Sequence, residues 1–392
     1  NFANYGKIQS EPLSLEPNFK DSNYKLTSIN YNFPTSNYPL QLYIPNTVKS
    51  IKTRAFFRVE NVIMDIEFSD DVIIGESAFE KCTGLQSIKF NGNIKYLGEH
   101  CFHDCINLNS FSIMQVEEIS NYAFSYCQNL KSQLQISTKT KIIGKYAFYY
   151  CSQLTGDLII PDSVISIGEN AFQRCLKLNG ILRLSENLTK INSYSFFECE
   201  NLKCTLELPN SIESIGSHDF FLCVGLSGNL KIPNKVKFIS DSAFWGCSSF
   251  TGNLIIPDSV NSIGQDVFSF CDGFDGNLKI SENLEKISDS LFRFCTQLKG
   301  QINLPKKIKS IGEYSFQFCY HLEGQLIIPE SVTTINIGAF EKCNKIEGPL
   351  VIPNSVILIK SRAFYGCENL NGDIKLSENI KEIYDYTFYD CY

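Results

Sequence analysis

The sequence has no excess of basic residues, because 35 Lys and Arg stand against 42 Asp and Glu, for a net charge of −7. Nucleic acids and anionic membranes are recognised through a basic surface, so neither is expected as a partner. Long apolar runs are also missing, and none approaches the roughly 18 residues that would span a bilayer. With 43% apolar and 20% charged residues over 392 positions, the chain is expected to be a folded, soluble protein with a large core.

Residues that carry catalysis are scarce. The chain has four histidines, and no set of Ser, His and acid recurs in a pattern that would place a catalytic triad. The 24 glycines are spaced along the chain and do not cluster as a G-x-G-x-x-G phosphate loop. The sequence therefore predicts a non-enzymatic protein with no catalytic residues and no cofactor.

One short stretch, "HCFHDC", gathers His100, Cys101, His103, Asp104 and Cys105, which are residue types that bind zinc. Two of them stand at core positions of the repeat described below, and the spacing of the others matches no standard zinc site. No metal site is predicted here.

Cysteine, in contrast, is abundant and regularly placed. From Cys127 onward, every interval within one register is 24 residues (151 − 127 and so on to 391 − 367), and a Phe stands three residues before each cysteine. The first unit has Phe56 but Val59 in the cysteine position, which makes 15 units. A period of this length is typical of a solenoid. Fourteen of the 16 cysteines share the register: Cys82, Cys105, Cys127, Cys151, Cys175, Cys199, Cys223, Cys247, Cys271, Cys295, Cys319, Cys343, Cys367 and Cys391.

Each position of the unit has a structural interpretation, shown here by "GNLIIPDSVNSIGQDVFSFC". The stretch 254–256 alternates as a short half-buried strand, and Pro257 ends it. Gly264 permits a sharp turn after a second short extended segment, and Phe268 and Cys271 lie three apart, as on one helical or 3₁₀ turn. One unit cannot bury these residues alone. Stacked units bury them and pair their strands in parallel about 4.8 Å apart, which predicts a body roughly 70 Å long.

The spaced set C-x-x-L…L-x-I-P-x-S-V-x-x-I-G-x-x-A-F-x-x-C resembles the BspA-like, or treponemal-type, leucine-rich repeat over residues 40–392. The resemblance implies a right-handed β-rich solenoid with short parallel strands. It also implies a surface-exposed or secreted ligand-binding protein of the kind implicated in adhesion to host cells and matrix. The 24-residue unit departs from the family's usual repeat of about 23 by an added Gly before the strand.

The repeat divides the chain into regions. Residues 1–39 lack the register and are predicted to cap the first coil. Residues 40–130 hold irregular repeats, and residues 131–392 hold regular ones. The chain does not begin with Met and stops inside a unit, so we expect an excised segment of a longer protein whose signal and anchor lie elsewhere. A longer period of 96 residues (281 − 185 and 377 − 281) is marked by "SEN" at Ser185, Ser281 and Ser377.

The register cysteines are predicted to be a buried row of free thiols whose S–H groups meet backbone carbonyls. Disulfides between neighbours are the alternative, but parallel side chains rarely reach the required dihedral angle. Such thiols are typical of a reducing compartment, and burial reconciles them with a surface location. Cys204 lies off the register, where it is either an exposed thiol, reactive or bridging chains, or an ordinary substitution.

Eight residues after each cysteine, at the outward centre of the strand, the residue type varies widely while the core stays constant. This column is the predicted ligand-binding site, because a constant scaffold with a varied exposed column is what a ligand-reading surface requires. Neutral drift on a solvated face is the alternative. The column consists of Ile159, Arg183, Glu207, Lys231, Ile255, Lys279, Asn303, Ile327, Val351 and Lys375.

A second column, one or two residues before each cysteine, is rich in aromatic residues. Exposed rings there would suit contact with a protein or a glycan, and packing between coils is the alternative. The predicted aromatic edge comprises Trp245, Phe270, Phe294 and Phe318.

Together these patterns predict a non-enzymatic cell-surface or secreted adhesion protein that binds protein or glycan ligands on host cells, matrix or neighbouring cells. An intracellular, cytoplasmic scaffold for protein–protein interaction is the alternative, and self-association into a homo-oligomer is a third possibility. No contact of this segment with a membrane is expected.

Overall fold

A computed structural model describes residues 28–29, 40–42, 44–45, 47–60, 62–68, 70–112 and 115–391. Two ladders of short strands follow the length of the solenoid, because most units contribute one strand to each ladder. Each ladder is divided into separate sheets of two to four hydrogen-bonded strands. Every pairing is parallel and joins a strand to its counterpart in the next unit. The predicted solenoid of stacked parallel strands is therefore confirmed.

The first ladder lies just after the cysteine of each unit. Its strands are Leu40–Leu42, Val62–Phe68, Leu85–Phe90, Ser110–Phe111, Gln133–Gln135, Thr155–Ile159, Leu182–Arg183, Thr205–Glu207, Ser227–Lys231, Leu254–Ile255, Leu278–Lys279, Gly300–Gln301, Leu322–Gln325, Lys345–Glu347, Leu350–Val351 and Ile374–Lys375. The second ladder follows the proline turn. Its strands are Ser28–Ile29, Ser50–Ile51, Val72–Ile74, Ile94–Leu97, Glu118–Ile119, Ile142–Ile143, Ser166–Ile167, Lys190–Ile191, Ser214–Ile215, Phe238–Ile239, Ser262–Ile263, Lys286–Ile287, Ser310–Ile311, Thr334–Ile335 and Leu358–Ile359.

The solenoid has about 13 turns, slightly fewer than the 15 units counted from the sequence. The last unit contains no second strand after Ile374–Lys375, so its coil is incomplete among the described residues. The predicted cap at 1–39 lies outside the described residues, apart from Ser28–Ile29, which pairs with Ser50–Ile51. The capping role of this segment stays a prediction.

The third side of each coil is a six-residue turn, and the prediction of a helical or 3₁₀ turn here was wrong for the described residues. Cys127 N donates to Phe124 O three residues back (3.1 Å), whereas Phe124 N donates to Ala147 O of the next coil (2.8 Å). This alternation requires left-handed residues such as Tyr122 (φ 58°) and Tyr126 (φ 61°). A helix would keep all of these amides inside one coil, and the stack would lose a third set of bonds between coils.

Two of the repeated positions form continuous rows through the core. The Phe rings that stand three residues before each cysteine stack on one another from coil to coil, as in Phe148 on Phe172 with centroids 5.5 Å apart. All 14 register cysteines donate from Sγ to the Phe carbonyl of the preceding coil, as in Cys247 to Phe220 O at 3.0 Å. The predicted row of free thiols is thus confirmed. Burial raises the pKa of the Cys199 thiol to about 12.

The 96-residue period corresponds to a repeated junction between coils. Ser281 Oγ donates to Val260 O (2.6 Å), and Asp258 accepts from Glu282 N at its carboxylate (3.0 Å) and from the Asn283 amide at its carbonyl (2.7 Å). The "SEN" motif therefore satisfies backbone groups of the proline turn one coil earlier. Equivalent contacts occur around Ser185 and Ser377.

Candidate binding surfaces

The predicted ligand-binding column lies along the first ladder, and we call it the strand-face column. Its members point outward because strand residues alternate, so that Ile255 is 45% exposed while Leu254 and Ile256 beside it are fully buried. The strand register brings consecutive members together as direct partners. These partners are Ile159 with Arg183, Glu207 with Lys231, Ile255 with Lys279, and Val351 with Lys375.

Exposure along the strand-face column is nearly uniform. Ile327 and Val351 are 62% and 50% exposed, which is high for aliphatic side chains. Ile159 is half-buried and differs from the rest in this respect. The structure thus places the column as one continuous outward row, and its role in ligand binding stays a prediction. The remaining members, all exposed, are Arg183, Glu207, Lys231, Lys279, Asn303 and Lys375.

Two cations of the column are paired with acids of the preceding proline turn. Arg183 lies 2.7 Å from Asp162, and Lys279 lies 3.3 Å from Asp258. The pKa of the Asp162 carboxyl is lowered, first by the backbone N–H of Glu186 and then by the Arg183 guanidinium. Because both partners of each pair are exposed, these ion pairs can exchange for contacts with a ligand at little cost.

The aromatic edge predicted from the sequence belongs to a longer row, which we call the aromatic row. Its members are half-buried, and each ring packs on the ring of the next coil. The centroid distances are 4.8 Å for Phe197–Phe221, 4.5 Å for Phe221–Trp245, 4.9 Å for Trp245–Phe270, 4.6 Å for Phe270–Phe294 and 4.5 Å for Phe294–Phe318. Phe221 lies between two nearly parallel rings, which cover both of its faces. The pairs Trp245–Phe270 and Phe294–Phe318 are tilted, with interplanar angles of 52° and 35°.

A further aromatic column, five residues before each cysteine, is absent from the sequence prediction. His218 stacks on Tyr194 with centroids 4.7 Å apart, and His100 stacks on Tyr122 at 4.4 Å. Burial lowers the pKa of His218. Tyr and His recur at one position of the unit, and this recurrence could have identified the column. It becomes informative once the turn is known to project that position outward.

The second ladder also exposes apolar side chains that the sequence reading did not single out. Ile165, Phe238 and Ile357 are 59%, 50% and 60% exposed. Each lies within a "V-x-x-I" segment, next to residues that face inward. The alternation along that short segment could therefore have predicted that these side chains are exposed. These residues lie several coils apart and form no continuous row.

The residues of the "HCFHDC" stretch serve the core and the aromatic surface. Cys101 and Cys105 are fully buried, and the His100 and His103 rings lie edge to face with centroids 5.3 Å apart. Within the described ranges, no three His, Cys, Asp or Glu side chains are close enough together to hold a metal ion. Cys204 is half-buried, free, and accepts a hydrogen bond from Leu182 N at 3.3 Å.

The stacked parallel strands, the constant core and the exposed columns define a leucine-rich-repeat solenoid, a class whose long surface serves protein binding. The model of the BspA type leucine rich repeat region matches residues 18–131, 117–251, 250–349 and 349–392. The chain therefore belongs to the family of BspA-type leucine-rich-repeat proteins.

One solved structure shares this fold, and a second aligns over most of the chain with a lower score. A leucine-rich repeat protein from Bacteroides ovatus ATCC 8483 is 23% identical, with 94% of this chain and 92% of that chain aligned and a TM-score of 0.57. A leucine rich cell surface protein from Faecalibacterium prausnitzii A2-165 is also 23% identical, over 85% of this chain and 89% of that chain, with a TM-score of 0.48. No curated protein matches the chain. Among the described residues, no helix is long and apolar enough to cross a membrane.

Proposed function

We propose that the protein is a non-enzymatic cell-surface adhesion protein that binds host-cell, matrix or neighbouring-cell molecules through the strand-face column. The observation that carries this proposal is the exposure of aliphatic side chains, above all Ile327 at 62% and Val351 at 50%, in a row over an otherwise constant core. Exposed aliphatic residues aligned on one face are typical of interaction sites. Membership of the BspA-type family supports the surface location.

The mechanism is the sum of many shallow contacts along the column. Aliphatic anchors such as Ile255 and Ile327 lose exposed apolar area when a ligand covers them. Charged neighbours such as Arg183 then pair with groups of the ligand in place of Asp162. Affinity is therefore distributed over several coils, and one substitution lowers it only in part.

The first test is the location of the protein. The full-length protein is labelled on intact cells with an antibody to this region, with and without permeabilisation of the membrane. Staining of intact cells supports the proposal. Staining that appears only after permeabilisation contradicts it.

A second test measures binding to host cells with purified protein. We expect the double variant Ile327→Ser/Val351→Ser to bind about tenfold more weakly, because it removes two apolar anchors without disturbing the core. Ile165→Ser and Ile357→Ser on the second ladder form the matched control, since these residues are equally exposed but lie outside the column. An equal loss in both double variants would show that the column is not the binding site.

A scaffold inside the cell is the second candidate function, and the free thiols of the core favour it, because cysteines stay reduced most readily in a reducing compartment. Staining of permeabilised cells alone would support this candidate. In that case, the strand-face column would serve the assembly of intracellular partners.

A further inference from the structure

We propose that the aromatic row and the carboxylates beside it form a second binding surface, which takes a basic, apolar segment of another protein. The row lies on the turn side of the solenoid, away from the strand-face column, so the proposal is independent of the function proposed above. It rests on the orientation of the rings and on the charges around them.

The ring orientation selects the kind of partner. Sugars stack on the face of an aromatic ring, but the faces of Phe221 and Trp245 are used in packing against each other with centroids 4.5 Å apart and an interplanar angle of 8°. The ring edges that remain form an apolar strip that aliphatic side chains can cover. The surface therefore favours a protein segment over a glycan.

Three rings of the row occupy a left-handed position of the turn. Phe270, Phe294 and Phe318 adopt left-handed conformations with φ of 60°, 59° and 63°, at the position where other coils have Gly246 and Gly366. Bulky residues rarely adopt positive φ, because the side chain then crowds the backbone. The other described coils also have a left-handed residue at this position, including non-glycine residues such as Arg174 and Leu222. The conformation therefore belongs to the turn itself, and three consecutive coils place an aromatic ring there.

The charges beside the row are almost all negative. Among the acids of the turns that carry the rings, Glu198 pairs with Arg174 and Glu313 pairs with Lys360. Five further carboxylates, in or directly after these turns, belong to none of the ion pairs found in the described part of the chain. The one cation within these turns is Arg293, whose guanidinium lies over the Phe294 ring, 5.3 Å from its centroid. An apolar strip with acidic borders complements a segment that alternates basic and apolar residues. The five carboxylates outside these ion pairs are Glu200, Asp241, Asp266, Asp272 and Asp289.

The chain carries its own reporter of this surface, since its single tryptophan, Trp245, lies in the middle of the aromatic row. Trp245 is half-buried, so its fluorescence has room to respond when a ligand covers the exposed edge of the ring. The experiment titrates the purified chain with a short peptide of alternating Lys and Leu, and with a peptide of alternating Glu and Leu as the control. We expect a saturable shift of the emission to shorter wavelength with the Lys peptide alone, and weaker binding as salt rises.

Two double variants place the binding site. We expect Phe270→Asn/Phe294→Asn to raise the Kd of the Lys peptide about tenfold. The fold is kept in this variant because Asn tolerates the left-handed backbone conformation. Asp241→Asn/Asp289→Asn should reduce both the affinity and its dependence on salt, and Ile255→Asn on the strand face should leave both unchanged.

Several results would overturn the proposal. These are the absence of a saturable response to the Lys peptide, an equal response to the Glu peptide, and an unchanged Kd in the phenylalanine double variant. Light scattering is measured in parallel. A mass that rises with protein concentration and falls in the phenylalanine double variant would assign the row to a second copy of the chain and would also overturn it.

Discussion

Asp219 is a fully buried carboxyl group at the position where neighbouring coils have small residues such as Ala243. It accepts hydrogen bonds from Gly216 N (2.6 Å) and Ser195 N (3.3 Å), and no ion pair of the described residues includes it. Burial raises the pKa of Asp219 well above its usual value, because the ionised form loses its hydration and gains no cation. The position is therefore sensitive to pH.

The raised pKa predicts the direction of the pH dependence. Asp219 binds its proton more tightly in the folded state, so the free energy of unfolding falls as pH rises above the unfolded pKa of about 4. We expect Asp219→Ala to raise the melting temperature at neutral pH and to have a smaller effect at about pH 4, as followed by circular dichroism. Gly216 N and Ser195 N keep backbone acceptors, Ile191 O (3.0 Å) and Asn192 O (3.2 Å), when the carboxyl group is removed. Asp241→Asn is the control. Because the Asp241 side chain is exposed, this substitution should leave the melting temperature unchanged. A lower melting temperature of Asp219→Ala at neutral pH would contradict this account.

At the scale of the element, the junction that recurs every 96 residues offers a paired test. Ser281 Oγ donates to Val260 O at 2.6 Å and accepts from Asn283 N at 3.2 Å, whereas the buried Oγ of Ser259 has no hydrogen-bond partner. The two serines lie in the same junction and permit the same substitution. They differ in that the hydroxyl group of Ser281 makes hydrogen bonds and that of Ser259 makes none.

We expect Ser281→Ala to lower the free energy of unfolding by about 1–2 kcal/mol, because it leaves a buried backbone carbonyl without its partner. Ser259→Ala should change it by less than about 0.5 kcal/mol or raise it, since the hydroxyl there is buried without a bond. Urea denaturation of both variants measures the difference. Equal effects of the two substitutions would argue against a stabilising role for the "SEN" motif.

The whole molecule is a stack in which each coil is stabilised mainly by its two neighbours. The Phe rings, the thiols and the alternating turn amides all contact the equivalent groups one coil away. A coil can therefore be removed without loss of the fold, provided that the register is kept. Removing part of a coil would place strand residues at turn positions and turn residues in the core.

We expect deletion of residues 248–271, which is one unit of 24 residues (271 − 247), to leave a folded solenoid that is one coil shorter. Deletion of residues 248–259, half of that length, should prevent cooperative folding, because it shifts Val260 and Ile263 out of their core register. Circular dichroism and thermal melts of the two proteins are the measurements. Similar melts for both deletions would refute a register-dependent stack.

The sequence predicted the strands and the core well, because these follow from local patterns that repeat. Alternation around Ile255 indicated which side chains point outward, and the 24-residue interval placed the cysteines in one buried row. The turn was predicted wrongly as helical, since Phe and Cys three residues apart suit either a helical turn or a series of β-turns. Only hydrogen bonds to the next coil separate the two, and no single unit contains them.

The binding surfaces were predictable in position but not in detail. The members of the strand-face column follow from the period, yet the pairing of Arg183 with Asp162 depends on how far two coils are offset. The aromatic residues were visible in the sequence, but the covering of their faces was not, because ring orientation is decided by packing between coils.

The sequence by itself determined the family, the period and the division between core and exposed columns, since these depend on residue type and spacing alone. The tertiary structure decided the left-handed turns, the stacking of the aromatic row and the burial of Asp219. Each of these features is a relation between neighbouring coils. A residue such as Phe270 acquires its conformation, and its exposed edge, only when the coils on both sides are in place.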